Sequence, residues 1–313
     1  MASRTPSSKV MAELVQGGDV DRHQSSSSTV TKDDSATRAQ ADPLHPGFED
    51  PAYLARRNAI AALSVDRTTD DPIPEVDYTP AEHELWCTLS DALHEAWPDG
   101  ACTRVLDAVE QLALPRDHTP QLGEVNERLS PLTGFSYVPV PGLAPLRGFY
   151  SSFAEGRFSS TQYLRHHSSP LYTPEPDLVH EVLGHAHHLA IDELAALYRA
   201  TGSATDRLQS DAALVFLSKV FWCTIEFGVV EEDGQTKAFG AGLLSSPGEL
   251  ASFGTATVRP LDFAAMGTSE YDITAYQPVL YGAPSTAALV DDLGSFLEAF
   301  DDDAAARLTH DRS

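Results

Sequence analysis

The stretch from Thr173 to His185 constrains this chain more than any other part of its sequence. Its thirteen residues contain two histidines and three carboxylates, a combination that is typical of a metal site. Asp177 is a favourable helix N-cap, and the prolines just before it are compatible with a helix start. The sequence therefore predicts a helix that begins near Asp177 and carries His180 and His185 into the interior.

The spacing of the two histidines narrows the kind of metal site. Zinc peptidases place two histidines at positions i and i+4 of a helix, with a catalytic glutamate between them. Here the spacing is five, so on an ideal helix the two side chains point roughly 140° apart. Both can reach one ion only through long side chains or through a local widening of the helix, which Gly184 would permit. A zinc hydrolase is disfavoured, while structural histidines stay open as an alternative.

A third ligand is expected from the apolar run between Val220 and Gly228, which contains a single acidic residue, Glu226. Burying an unpaired carboxylate is costly, so Glu226 needs a cation or a hydrogen-bonded partner. Two histidines and one carboxylate form the facial triad of non-haem iron(II) oxygenases. We therefore expect iron, held by His180, His185 and Glu226.

The remaining sequence predicts one catalytic domain that is mainly α-helical, with a few short strands. Residues 1–46 are polar and rich in serine and predict a disordered tail, which leaves residues 47–313 for the domain. Thr79 starts a helix, residues 135–141 alternate like a strand, and Asp233-Gly234 predicts a hairpin turn. Asp206 is expected to cap a long helix that runs to Glu226.

Composition excludes several function classes. The formal net charge is −25, from 46 acidic and 21 basic residues, and such a field repels nucleic acids and anionic membranes. There is no apolar run of membrane-spanning length and no signal-peptide pattern. Three cysteines without metal-ligand spacing suit a reducing compartment. We therefore expect a cytoplasmic protein without nucleic-acid or membrane partners.

Several motifs, in a fixed order, carry a family resemblance. Between about Phe48 and Tyr281 the chain resembles the pterin-dependent aromatic amino acid hydroxylases, the family of phenylalanine, tyrosine and tryptophan hydroxylases. The motifs are DPAYLARR (residues 50–57), QYLRH (162–166), YTPEPD (172–177), HEVLGH (180–185), TIEFG (224–228) and FGAGLLSS (239–246).

This resemblance implies a compact helical basket around an iron pocket, with Fe(II), dioxygen and a tetrahydropterin (tetrahydrobiopterin or a related pterin) as reactants. It assigns the pterin to Gly142, Ala144, Phe149, Glu181 and Phe221. It assigns the amino acid substrate to Arg165, Thr173, Pro174, Trp222, Phe227, Gly242, Ser245 and Ile273. No heptad pattern for tetramer assembly follows the domain, so a monomer is expected.

Two of these residues can also be interpreted from their chemistry. Arginine can hold a carboxylate through two parallel hydrogen bonds, so Arg165 suits a substrate carboxylate, and Asp177 is its expected partner.

Two departures from the family pattern affect the pocket. Ser159 replaces a histidine that animal members use near the pterin, and His187 and His188 follow the second expected ligand and are interpreted as exposed or packing residues.

The resemblance favours hydroxylation of L-phenylalanine to L-tyrosine. Trp222 matches a tryptophan of phenylalanine and tyrosine hydroxylases, and Ile273 occupies a position where tyrosine hydroxylases carry aspartate. Meta-tyrosine formation and tryptophan hydroxylation are the alternatives within the family. A metal-binding protein without oxygenase activity is the alternative from another class.

Overall fold

The computed structural model describes residues 46–68, 71–171, 173, 175–273 and 275–310. The expected polar tail therefore lies outside the described residues except for Pro46, and the predicted substrate residue Pro174 also lies outside them. Within the described ranges, no helix combines the length and apolar character that crossing a bilayer requires.

Helices dominate the described part of the chain, as the sequence predicts. The first four are α1 (Pro51–Ala62), α2 (Pro80–Gly100), α3 (Thr103–Leu112) and α4 (Leu122–Thr133). The next four are α5 (Leu146–Ala154), α6 (Ala186–Leu189), α7 (Asp192–Arg207) and α8 (Asp211–Phe221). The last five are α9 (Ala241–Leu244), α10 (Pro247–Ser252), α11 (Phe263–Thr268), α12 (Thr286–Ala299) and α13 (Asp302–His310).

Helix starts follow local capping chemistry. Thr79 and Glu82 form a reciprocal capping box at the start of α2, as predicted, and Asp50 accepts hydrogen bonds from the first backbone N–H groups of α1. The prediction for Asp206 is wrong. Asp206 lies inside α7, and Ser210 caps α8 by accepting a hydrogen bond from the Ala213 N–H at 3.2 Å. The break between the two helices could not be read from the apolar pattern alone.

Among the described residues, six short strands form two small sheets. Strands β1 (Ser136–Pro139) and β2 (Arg157–Ser160) pair in parallel. The four-stranded sheet has the order β4-β3-β6-β5, with β3 (Val229–Glu232), β4 (Gln235–Ala238), β5 (Thr257–Pro260) and β6 (Val279–Ala283). The predicted hairpin joins β3 to β4. Asp233 and Gly234 both have positive φ, at 53° and 74°, as a two-residue hairpin turn with the favoured twist requires.

Two irregular helical segments lie at the centre of the fold and have wide, π-helical turns. They span His180–His185, just before α6, and Trp222–Glu226, at the end of α8. The first packs against α9 so closely that Gly184 is required. A Cβ atom at Gly184 would lie 2.7 Å from the carbonyl oxygen of Ala241. Of the two possibilities that the histidine spacing left open, long side chains or a widened helix, the structure shows the widened helix.

Candidate metal and substrate site

The histidine segment starts where the sequence predicts. Asp177 caps it, because its Oδ1 accepts a hydrogen bond from the backbone N–H of His180 at 3.1 Å. The π-helical turn then brings His185, which is five residues after His180, back towards the His180 side chain. As a result, the Nε2 atoms of His180 and His185 lie only 3.0 Å apart.

The second wide segment delivers the carboxylate. Glu226 ends it, and its oxygens lie 3.2 Å from His185 Nε2 and 3.5 Å from His180 Nε2. The three candidate ligand atoms lie within 4.8 Å of one another. The backbone of Gly240 packs directly against that of Glu226. A Cβ atom at Gly240 would come within 2.2 Å of the Glu226 carbonyl oxygen, so a glycine is required there.

The charges of this cluster fit a divalent cation. Burial lowers the pKa of His180 to about 4 and that of His185 to about 3, so both imidazoles are neutral near pH 7, which is the form that binds metals. Burial also raises the pKa of Glu226 to about 7, and the proximity of His180 opposes part of this increase. Two nitrogen donors and a buried carboxylate match an iron(II) facial triad.

The imidazole of His180 is oriented by Ser245. The Ser245 hydroxyl donates to the Ala241 carbonyl at 2.8 Å, so its oxygen accepts from the Nδ1–H of His180 at 2.9 Å. This arrangement leaves the lone pair of Nε2 facing the other two ligands.

A cavity of about 230 Å³ opens beside these three side chains. Its lining includes most of the predicted residues, which are His180, His185, Glu226, Gly142, Ala144, Phe149, Glu181, Arg165, Thr173, Trp222, Phe227, Gly242, Ser245 and Ile273. Ser159 also lines it. The sequence analysis assigned no site role to the other lining residues, which are Val140, Leu143, Leu146, Tyr150, Thr161, Glu175, Pro176 and Ser246.

Phe221 is the predicted cofactor residue that lies away from the cavity lining. It is buried, and its ring packs edge-on against Tyr150 at 5.0 Å and Tyr198 at 5.8 Å between ring centroids. Tyr150 lines the cavity in its place. The structure therefore does not support a direct pterin contact for Phe221, because the last turn of α8 points its side chain into the core.

Arg165 and Asp177 form the predicted pair. The Nε and Nη2 atoms of Arg165 donate to the two carboxylate oxygens at 3.0 and 2.8 Å, and both side chains are about 2% exposed. The Nη1 atom donates to the Pro170 carbonyl at 3.1 Å. Arginine has five N–H donors, so two of them have no partner among the described residues and remain for an anionic ligand on the cavity side.

Aromatic rings form two other walls of the cavity. Phe149 packs edge-on against Phe153 and Phe158, at 4.9 and 5.5 Å, while remaining partly exposed to the cavity. On the opposite side of the ligand cluster, Trp222 packs against Phe227 at 4.5 Å and stacks on Tyr271 at 4.2 Å. The cavity thus offers flat apolar surfaces beside a candidate metal site.

Glu181 lines the cavity. Its side chain is buried, and burial together with the nearby charge of Glu226 raises its pKa well above the ordinary value. A carboxyl group at this place is available for hydrogen bonds to a polar ligand in the cavity.

The histidines after His185 are buried packing residues. His187 Nδ1 donates to the Leu183 carbonyl at 2.9 Å, and His188 Nε2 lies 2.7 Å from the Phe239 carbonyl oxygen. Sequence reasoning missed Tyr198, whose hydroxyl lies 2.7 Å from His185 Nδ1. Tyr198 is thirteen residues downstream on α7, and only the packing of that helix brings it to the ligand.

Comparisons with known proteins agree with this geometry. Residues 20–308 match the family model described as biopterin-dependent aromatic amino acid hydroxylase. The chain is 48% identical over 264 residues to phenylalanine 3-hydroxylase of Streptomyces coeruleorubidus, covering 84% of this chain and 95% of that protein. It is 44% identical over 220 residues to the chloroplastic phenylalanine 4-monooxygenase of Chlamydomonas reinhardtii, covering 70% and 61%.

A solved structure shows the same fold. Phenylalanine hydroxylase of Chromobacterium violaceum, with bound iron(III) and 7,8-dihydrobiopterin, superposes with a TM-score of 0.68. The two chains are 29% identical, and the match covers 72% of this chain and 84% of that one.

Proposed function

Because this chain belongs to the biopterin-dependent aromatic amino acid hydroxylases, an enzyme family that uses iron and a tetrahydropterin, we propose that it hydroxylates the ring of L-phenylalanine. The observation that carries the proposal is the convergence of His180, His185 and Glu226 beside an aromatic-lined cavity that also contains Arg165. The names of the relatives support phenylalanine as the substrate.

In this proposal His180, His185 and Glu226 would hold the iron. The bound iron and tetrahydropterin would supply the chemistry that activates dioxygen. No protein side chain needs to act as an acid or a base in this scheme, so the contribution of the protein is to position the reactants and to exclude water.

Arg165 orients the amino acid. Its two remaining N–H groups bind the substrate carboxylate, while Asp177 fixes the guanidinium plane. The phenyl ring then lies between Trp222, Phe227 and Ile273, which supply apolar contacts and no hydrogen-bond acceptor for a ring hydroxyl. Such a pocket discriminates only modestly between aromatic rings.

The pterin lies against the opposite wall in the same scheme. Gly142 and Ala144 would border it, Phe149 would stack on it, and Glu181 would hydrogen-bond to it. Ser159, at the position of a histidine in animal members, also faces this side.

Two ring positions are candidates, each with its own support. Relatives named for the 4-position support para-tyrosine, which is the product predicted from the sequence. Meta-tyrosine is supported by the 48% identity to a phenylalanine 3-hydroxylase that this chain matches over 95% of its length. The enzyme is further proposed to act as a cytoplasmic monomer without nucleic-acid partners, from the composition and pattern of its sequence.

Product analysis tests the proposal. The purified protein is incubated with iron(II), a tetrahydropterin and oxygen, and with phenylalanine and tryptophan in equal amounts, while tyrosine is tested in a separate reaction. The products are separated by chromatography. Para-tyrosine or meta-tyrosine as the main product supports phenylalanine and decides the ring position. Dominant 5-hydroxytryptophan would overturn the assignment of the Trp222 wall, and absence of pterin-dependent oxygen consumption would favour a metal-binding protein without oxygenase activity.

A ligand variant tests the proposed metal site separately. Glu226→Gln keeps the shape but removes the anionic ligand, so we expect iron affinity and turnover to fall at least about tenfold while the fold is retained. Iron content after dialysis and circular dichroism measure the two effects. Wild-type iron content in the variant would remove Glu226 from the ligand set.

A further inference from the structure

A buried chain of hydrogen bonds leads from His185 away from the metal site. His185 Nδ1 lies 2.7 Å from the Tyr198 hydroxyl, which lies 3.2 Å from His188 Nδ1. His188 Nε2 in turn lies 2.7 Å from the carbonyl oxygen of Phe239. The three side chains between metal site and carbonyl are at most 1% exposed.

The carbonyl at the far end fixes the direction of every hydrogen bond. A carbonyl oxygen can only accept, so His188 carries its proton on Nε2. His188 is fully buried without a carboxylate partner in the described part of the chain, so it is neutral and its Nδ1 is an acceptor. Tyr198 therefore donates its single proton to His188, and its oxygen accepts from the Nδ1–H of His185.

The positions of the protons also exclude a hydrogen bond that Tyr198 donates to His185. If Tyr198 donated to His185, its oxygen would face the Nδ1 lone pair of His188 at 3.2 Å with no proton between them. His185 would then carry its proton on Nε2, the atom that faces His180 and Glu226. That tautomer could not bind a metal through Nε2.

We propose that Tyr198 and His188 are positioning residues that hold His185 in the metal-binding tautomer and fix the direction of its ring. The far end of the chain also connects to the third ligand. Phe239 precedes Gly240, whose backbone packs directly on the Glu226 carbonyl, and the N–H groups of both residues donate to Gly228. The hydrogen-bonded chain of His185, Tyr198 and His188, here called the relay, thus connects His185 to the segment that packs against Glu226.

The surroundings of the relay favour one geometry. The Tyr198 ring is packed edge-on by Phe135 and Phe221, and the His188 ring stacks on Phe239 at 4.8 Å. These ring contacts do not involve the Tyr198 hydroxyl. A variant that lacks only the hydroxyl therefore loses the hydrogen bonds and keeps the packing. The inference rests on the metal site and is independent of the substrate and the ring position.

Cobalt(II) binding to the metal-free full chain tests the proposal without turnover. Tyr198→Phe removes only the hydroxyl, and His188→Leu removes the acceptor and the donor with similar volume. We expect the cobalt dissociation constant, measured by competition with a chromophoric chelator, to rise about 10–100-fold in both variants. His188→Asn, which keeps an acceptor near the position of Nδ1, should restore part of the affinity.

Tyr78→Phe is the matched control. Like Tyr198, Tyr78 is buried and its hydroxyl donates one hydrogen bond, in this case to the backbone carbonyl of Gln162 at 2.8 Å. Tyr78 does not line the cavity. A purely structural role for Tyr198 would lower the melting temperature in both tyrosine variants and leave cobalt affinity below that temperature unchanged. Wild-type cobalt affinity in Tyr198→Phe and His188→Leu would overturn the proposal.

Nitrogen-15 NMR of the histidine rings gives a second readout that needs no variant. In the metal-free wild-type protein, we expect His185 to carry its proton on Nδ1 and His188 on Nε2. A His185 ring protonated on Nε2 would refute the relay even if the variants failed to fold.

Discussion

At the scale of single residues, Arg165 shows how a neighbour sets what a side chain can do. The sequence suggested that its planar fork holds the substrate carboxylate. In the structure, Asp177 occupies the fork formed by Nε and Nη2, and the Pro170 carbonyl takes one hydrogen of Nη1. These contacts hold the guanidinium group rigid, and in the proposed function the substrate carboxylate binds its remaining N–H groups.

Arg165→Lys is therefore expected to weaken amino acid binding, because lysine lacks the planar group that pairs with a carboxylate and that Asp177 orients. Lysine keeps the charge but cannot bind Asp177 and a substrate carboxylate at the same time in two planar pairs. Loss of one charge-assisted hydrogen bond, about 1.5–3 kcal/mol, should raise the KM for phenylalanine about tenfold or more.

Steady-state kinetics with each substrate varied in turn measure this effect, and the KM for the tetrahydropterin should change less. Arg56→Lys is the matched control, because Arg56 forms a similar two-bond pair with Glu82 but does not line the cavity. An unchanged KM for phenylalanine in Arg165→Lys would show that the carboxylate is held elsewhere.

Glu249 is a second residue whose environment sets its behaviour. Burial raises the pKa of its carboxyl to about 7, although the Gln277 N–H donates to it at 3.3 Å. Because the folded-state pKa is above the unfolded value, the contribution of Glu249 to stability is complete at low pH. It is lost as the pH rises from about 4.3 through about 7.

Glu249→Gln should remove this pH dependence while keeping an oxygen that accepts from Gln277. After discounting for solvent screening, we expect the wild type to lose about 1–2 kcal/mol more unfolding free energy than the variant between pH 5 and pH 8. Urea unfolding of the metal-free proteins at both pH values measures the difference. Glu127→Gln, at an exposed position, controls for the lost charge, and parallel pH profiles for wild type and Glu249→Gln would contradict the prediction.

At the scale of elements, two wide helical turns bring the candidate ligands together. A regular α-helix would place the side chains of His180 and His185 on different faces. The π-helical segment His180–His185 brings them to 3.0 Å, and the segment Trp222–Glu226 turns the carboxylate towards them. Wide turns of this kind are frequent at functional sites.

Gly184→Ala tests whether the histidine segment depends on close packing with α9. The added methyl group would lie 2.7 Å from the Ala241 carbonyl oxygen, which belongs to the backbone and cannot rotate away. We expect a loss of about 1–3 kcal/mol in unfolding free energy and weaker cobalt binding, because the segment must shift.

Gly123→Ala provides the contrast on an open helix. No atom lies within 4 Å of a Cβ at Gly123 in α4, so alanine there should raise stability by about 0.5–1 kcal/mol. Chemical unfolding and cobalt titration of both variants measure these effects. Equal stability changes in the two variants would argue that the approach to Ala241 does not constrain the segment.

At the scale of the whole molecule, the acidic charge is the dominant property that the fold does not explain. The formal charge of −25 opposes the compact state by repulsion among surface carboxylates. Repulsion of this kind is screened as ionic strength rises.

Potassium chloride should therefore stabilise the protein. We expect the melting temperature of the metal-free protein to rise by a few degrees between low salt and 1 M potassium chloride, equivalent to about 1 kcal/mol. Differential scanning calorimetry at fixed pH measures it. A melting temperature that does not change with salt would show that repulsion among the acidic side chains does not limit stability.

The sequence by itself predicted which three side chains come together. Two histidines five residues apart and a lone glutamate in a later apolar helix indicated a facial triad, but they left long side chains or a widened helix as two ways to bring the histidines together. Local signals also fixed the capping box at Thr79 and the hairpin at Asp233, because both depend on neighbouring residues only.

Only the tertiary structure decided which side chains surround those ligands. Tyr198 lies beside His185 because α7 packs behind the histidine segment, and Phe221 faces the core because of where α8 ends. Residues far apart in sequence have no shared pattern that would indicate such contacts. Their roles follow from packing, since hydrogen-bond direction and burial are properties of the folded chain.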